Sequence, residues 1–99
     1  MTVYALDSSN GIAAQIAKSI GDKLALVEKK EFPDGESYVR IPEKPEGVAI
    51  LVGSMYPPQD KRLVELLLAT EALSALSPEG VYLVIPYLAY ARQDRRFLE

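Results

Sequence analysis

Cysteine and histidine are both missing from these 99 residues. Without cysteine there is no disulfide, no thiol nucleophile and no cysteine-bound zinc. Without histidine the commonest general base and metal ligand is gone. Serine–histidine and cysteine–histidine catalysis therefore cannot be built from this chain. Two familiar phosphate cradles are missing as well: no Gly-x-x-x-x-Gly-Lys loop and no Gly-x-Gly-x-x-Gly fingerprint occurs. The apolar runs are far too short to span a bilayer. The first residues, Asp7 and Asn10 among them, lack the basic start and apolar stretch of a secretory leader. No membrane association is expected, and the lack of cysteine fits a cytoplasmic protein. Basic excess is missing too. A net charge of −3 disfavours general binding to a phosphate backbone, so nucleic acid is not an expected partner.

What is present is the composition of a folded protein. The 48% hydrophobic and 25% charged fractions are those of an ordinary globular chain and exclude wholesale disorder. Ninety-nine residues are enough for one small domain, or part of one, with a thin stability margin because so much surface stays unburied.

Val3 to Leu6 is a short apolar run that reads as a buried strand. Asp7 to Asn10 supplies N-cap residues, and Ile12, Ile16 and Ile20, with Ala13 and Ala17 beside them, form one apolar helical face that stops at Gly21. Leu24 to Val27 reads as a second strand. Lys29-Lys30-Glu31 is polar and leads into the turn Phe32-Pro33-Asp34-Gly35. Ser37, Val39 and Ile41 alternate with Tyr38 and Arg40, as in a half-buried strand. Leu24–Glu28 and Glu36–Ile41 are expected to lie antiparallel. Val48 to Val52 is apolar on both faces, the mark of a central parallel strand. A helix from about Asp60 to Leu76 presents Leu63, Leu66, Leu67, Ala69 or Thr70, Leu73 and Leu76. Val81 to Ile85 reads as a further fully buried strand. This order predicts an α/β domain with a right-handed crossover between the last two parallel strands.

In such sheets ligands bind outside the carboxyl ends of the strands. Asp7–Asn10, Gly53–Pro58 and Pro86–Arg96 reach that edge. Arg92, Arg95 and Arg96 could meet phosphate there, or form a solvated charged end beside Asp94 and Glu99. Gln93 adds a donor and an acceptor next to the planar Arg92 cation. Asp34 and Glu36 flank one glycine. They could accept hydrogen bonds from a base or a ribose, or serve only as turn polars. Phe32 could stack on a flat base or anchor the turn. Tyr87 and Tyr90 could line the cleft or pack beneath the sheet.

Two segments lift the chain out of the generic. Phe32-Pro33-Asp34-Gly35-Glu36 resembles the Phe-x-Asp-Gly-Glu loop of the ribose-phosphate diphosphokinases, also called phosphoribosyl diphosphate synthetases. Tyr90-Ala91-Arg92-Gln93-Asp94 resembles that family's Tyr-Ala-Arg-Gln-Asp segment, preceded by Pro86-Tyr87. Gly53 to Pro57 and the helix after it also align, and the resemblance covers essentially the whole chain; Leu88-Ala89 departs slightly from the pattern.

The resemblance implies a phosphoribosyltransferase-like fold: a parallel central sheet with flanking helices and an antiparallel strand pair. Residues 1–99 would be an incomplete N-terminal domain of that kind. It implies transfer of the diphosphoryl group of ATP to ribose 5-phosphate, giving phosphoribosyl diphosphate and AMP, in a Mg²⁺-dependent homo-oligomer. Phe32, Asp34, Gly35 and Glu36 would contact the nucleotide of a neighbouring protomer. Arg92 and Gln93 would hold ATP in their own protomer. The magnesium ligands, the mobile catalytic loop and the ribose 5-phosphate loop would all lie beyond Glu99, so no catalytic or metal residue is expected within the chain. The other reading is a non-catalytic, stand-alone relative that binds or regulates longer subunits.

Overall fold

The computed structural model describes residues 1–6, 10–20 and 23–86. Four strands form a parallel sheet: β1 (Thr2–Ala5), β2 (Lys23–Leu26), β5 (Val48–Val52) and β6 (Gly80–Val84), in the order β2-β1-β5-β6. Between β2 and β5 the chain makes a separate antiparallel pair, β3 (Glu28–Glu31) with β4 (Ser37–Arg40). Helix α1 (Asn10–Ile20) joins β1 to β2, and α2 (Gln59–Ser74) joins β5 to β6.

The period of two along a strand divides the core. Val3 and Ala5 of β1 point to α1, where they meet Ala13, Ala17 and Val52. Tyr4 and Leu6 point the other way, into a larger core with Leu51, Met55, Leu66, Ala69 and Leu73. The two helices therefore cover opposite faces of the sheet. This is why the central strands β1 and β5 carry apolar side chains at nearly every position.

Four expectations need correction. The partner of β4 is Glu28–Glu31, with Glu28 opposite Arg40 and Glu31 opposite Ser37. Lys23–Leu26 instead pairs in parallel with β1. The apolar run goes where it can bury Ala25 and Val27; the polar run, with no such need, forms the exposed arm of the hairpin. Helix α1 packs through its small residues: Ala13 and Ala17 are buried, whereas Ile12 and Ile20 are exposed. Small side chains let the helix approach the sheet closely; Ile16, partly buried, packs beside them as expected, and Ile12 and Ile20 flank the contact. In α2, Leu66, Ala69 and Leu73 are buried as expected, but Leu67 is 60% exposed. Lastly, β6 is not fully buried. It ends the sheet among the described residues, with Tyr82 and Leu83 exposed. The capping segment 7–9 and the expected helix stop at Gly21 lie outside the described residues.

Candidate functional site

The sheet changes winding direction between β1 and β5, because β1 leads outward to β2 and β5 leads outward to β6. At such a switch point the carboxyl ends of adjacent strands open a crevice. Here the ladder runs past the strands: the Leu6 N–H donates to the Val52 carbonyl at 2.9 Å, and the Gly53 N–H to the Val84 carbonyl at 3.0 Å. Gly53, Ser54 and Met55 are buried at this edge. A β-carbon on Gly53 would come within 3.0 Å of Leu6 Cδ2 and 3.2 Å of its Cβ, so the glycine permits the close approach of the two strand exits. The other segments expected at this edge, Asp7–Ser9 and Tyr87–Arg96, lie outside the described residues; Arg92 and Gln93 are among them.

Phe32, Asp34, Gly35 and Glu36 are brought together in the turn that closes the β3–β4 hairpin. Its geometry follows from the residue types. Proline at the second position presets φ, and the Gly35 N–H returns to the Phe32 carbonyl at 2.8 Å. Gly35 takes φ +92°, a left-handed value that glycine adopts without steric cost. The Phe32 N–H then donates to the Glu36 carbonyl at 2.8 Å, restoring the strand pairing. The Asp34 carboxylate accepts the Glu36 N–H at 3.0 Å. One Asp34 oxygen is thus a turn group, while the Glu36 carboxylate projects from an exposed residue. Phe32 is 40% exposed. Its ring stands edge-on to Tyr38, with centroids 5.8 Å apart and planes at 70°, and Lys30 Nζ lies 5.8 Å from its centroid. A half-exposed aromatic beside two carboxylates, oriented by a second ring, can stack on a planar group and accept its hydrogen bonds.

Behind the turn lies a cluster absent from the sequence-based expectations. Lys29 and Lys30 of the hairpin and Lys61, Arg62 and Glu65 of α2, with Glu31, line a shallow cleft of about 170 Å³. Glu65 is only 4% exposed. Its Oε1 receives Arg62 at 3.0 Å and Lys29 Nζ at 3.4 Å. Lys61 Nζ meets Glu31 at 2.8 Å. A signal for this cluster exists in the sequence: Glu65 stands four and eight residues before Ala69 and Leu73, so a carboxylate falls on the inward arc of the helix.

The family described as the N-terminal domain of ribose phosphate pyrophosphokinase matches residues 1–98. The chain belongs to that family. Over its whole length it is 49% identical to a ribose-phosphate pyrophosphokinase of Sulfurisphaera tokodaii, covering 34% of that protein. It is 46% identical to one of Sulfolobus acidocaldarius, again covering 34%. The chain thus spans about a third of the length of the curated relatives it matches. The crystal structure of phosphoribosylpyrophosphate synthetase from Mycobacterium smegmatis superposes with a TM-score of 0.82 at 28% identity, over 96% of this chain and 32% of that one. A purine phosphoribosyltransferase from Pyrococcus horikoshii shares the fold at TM-score 0.63 and 12% identity, over 91% of this chain and 65% of its own. The phosphoribosyltransferase-like α/β fold expected from the sequence is the one observed. Among the described residues, no helix is long and apolar enough to cross a membrane.

Proposed function

We propose that residues 1–99 form the N-terminal domain of a ribose-phosphate diphosphokinase and supply nucleotide-recognition and subunit-contact elements to the complete enzyme. In that enzyme ATP and ribose 5-phosphate give phosphoribosyl diphosphate and AMP. The observation that carries this reading is the Phe32–Glu36 turn, held in one shape by three hydrogen bonds and presenting an aromatic face and two carboxylates outward. In the complete homo-oligomer this turn would meet the nucleotide of a neighbouring protomer: Phe32 against the base, with Asp34 and Glu36 accepting its donors. Arg92 and Gln93 would hold ATP within their own protomer. The location would be cytoplasmic.

The reaction needs positioning and charge neutralisation more than it needs a nucleophile. Absence of histidine and cysteine is compatible with that demand. Magnesium would neutralise the phosphate charge when bound. Among the described residues no three carboxylate, histidine or cysteine side chains converge so as to hold a metal ion.

The test is ATP affinity measured by calorimetry in the complete enzyme. Arg92→Ala is expected to weaken binding by well over tenfold, and Glu36→Ala to weaken it without lowering the melting temperature. Unchanged affinity in both variants would overturn the assignment. The intact mass of the native protein separates this reading from a stand-alone regulatory relative, which would run at 10.9 kDa and do no chemistry.

A further inference from the structure

Glu65 is a charged residue inside an otherwise apolar helix face, and it reaches out of its own element. Arg62 satisfies it from within α2 at 3.0 Å, but Lys29 comes from the hairpin at 3.4 Å. The strand is laddered to β4, with Glu28 paired to Arg40 at 2.7 Å, but its own side chains give it little apolar hold on the rest of the domain. Glu28, Lys30 and Glu31 are exposed, and Lys29 is the one residue of the strand that turns inward. The partner strand β4 anchors the hairpin to the core through Val39, with Ile41 just beyond it. On the β3 side the attachment to α2 is ionic: Lys29 to Glu65, and Lys61 to Glu31 at 2.8 Å. Glu31 immediately precedes Phe32, where the candidate nucleotide turn begins.

We propose that Glu65 is a positioning residue for nucleotide binding, which through Lys29 holds the β3 arm of the hairpin against α2 and so sets where the Phe32–Glu36 turn is presented. The inference rests on the nucleotide reading of that turn. The buried carboxylate lies in low dielectric, where its pull on Lys29 is stronger and more directional than that of a solvated pair. The exposed Lys61–Glu31 pair is a weaker second tether. The group that orients the turn is therefore on a different element from the groups that touch the ligand.

The experiment uses the complete enzyme with Glu65→Gln, Glu65→Asp and Lys29→Met, and Glu36→Ala for reference. Lys29→Met leaves Glu65 paired with Arg62, so it remains informative if Glu65→Gln fails to fold. Two quantities are read: hydrogen exchange of the amides of residues 30–36, and KM for ATP against KM for ribose 5-phosphate. Lys29→Met and Glu65→Gln are expected to speed exchange in the turn at least tenfold. They should raise KM for ATP at least fivefold while kcat and KM for ribose 5-phosphate stay within twofold. Glu65→Asp should recover part of both effects. Unchanged exchange in Lys29→Met overturns the proposal. Faster exchange with unchanged KM for ATP also overturns it, provided Glu36→Ala raises KM. If Glu36→Ala leaves KM unchanged, the nucleotide reading of this turn fails, and the proposal with it.

Discussion

Asp34 and Glu36 sit two residues apart, yet the Asp34 carboxylate accepts the Glu36 amide at 3.0 Å, so the two acids of the turn are not equivalent. One is partly committed to building the turn. The other is left to whatever the turn meets. This division turns an ambiguity of the sequence, turn polar or ligand acceptor, into separable measurements.

Asp34→Ala is expected to destabilise the chain by about 1 kcal/mol, the net worth of one hydrogen bond. Asp34→Asn, which keeps an acceptor oxygen, should recover most of that loss. Glu36→Ala should leave stability within about 0.5 kcal/mol, as surface substitutions generally do. Urea unfolding of the three variants checks the ranking.

Gly35 isolates backbone from packing. A β-carbon there would meet nothing within 4 Å, and the residue sits at φ +92°. Gly35→Ala should therefore cost about 1–2 kcal/mol purely through left-handed strain. The loss should appear in the urea midpoint with no change in the slope, since no buried surface is altered.

Leu66 and Leu67 test which face of α2 carries the core. Leu66 is 5% exposed and Leu67 60%. Leu66→Ala should cost about 2–5 kcal/mol. Leu67→Ala in the same 99-residue chain should fall within about 0.5 kcal/mol. Comparable losses at both positions would mean that the helix is rotated from the observed phase.

Tyr4 predicts an alkaline limb of stability. Its hydroxyl donates to the Glu43 carbonyl at 2.7 Å. Burial, and then the charges of Glu43 and Glu46, push its pKa from 10.0 up to about 12. Between those values the unfolded chain binds fewer protons at this site than the folded chain, so stability falls as pH rises. The contribution is complete below pH 10 and is lost on the way to about 12. Tyr4→Phe should remove this pH dependence while costing about 1 kcal/mol at neutral pH for the hydrogen bond. Denaturant titrations at a series of alkaline pH values, each comparing the variant with the parent, give the slope.

Several features were legible from sequence because their causes are local. Val48 to Val52 is apolar at every position, and only a strand covered on both faces wants that pattern; it is the central strand β5. Pro33, Asp34 and Gly35 specify a turn through a fixed φ, a side-chain acceptor and a tolerated left-handed residue, and the turn forms where those three lie. The alternation Ser37 to Arg40 places Ser37 and Val39 inward and Tyr38 and Arg40 outward. In each case the information sits within a few consecutive residues.

Tertiary structure decided the rest. Glu28 to Glu31 has no apolar alternation to announce a strand. It becomes one because β4 offers it a backbone ladder and Glu65 offers Lys29 a buried charge. Helix α1 could have packed through all three isoleucines, but the sheet admits Ala13 and Ala17 at close range, with Ile16 beside them, and leaves Ile12 and Ile20 at the margin. Periodicity tells a residue that it must be buried, and local chemistry tells a turn how to bend. Which distant surface supplies the burial, and which distant charge holds the arm that carries the turn, depends on groups 36 residues apart, as Lys29 and Glu65 are. No short window of sequence contains both.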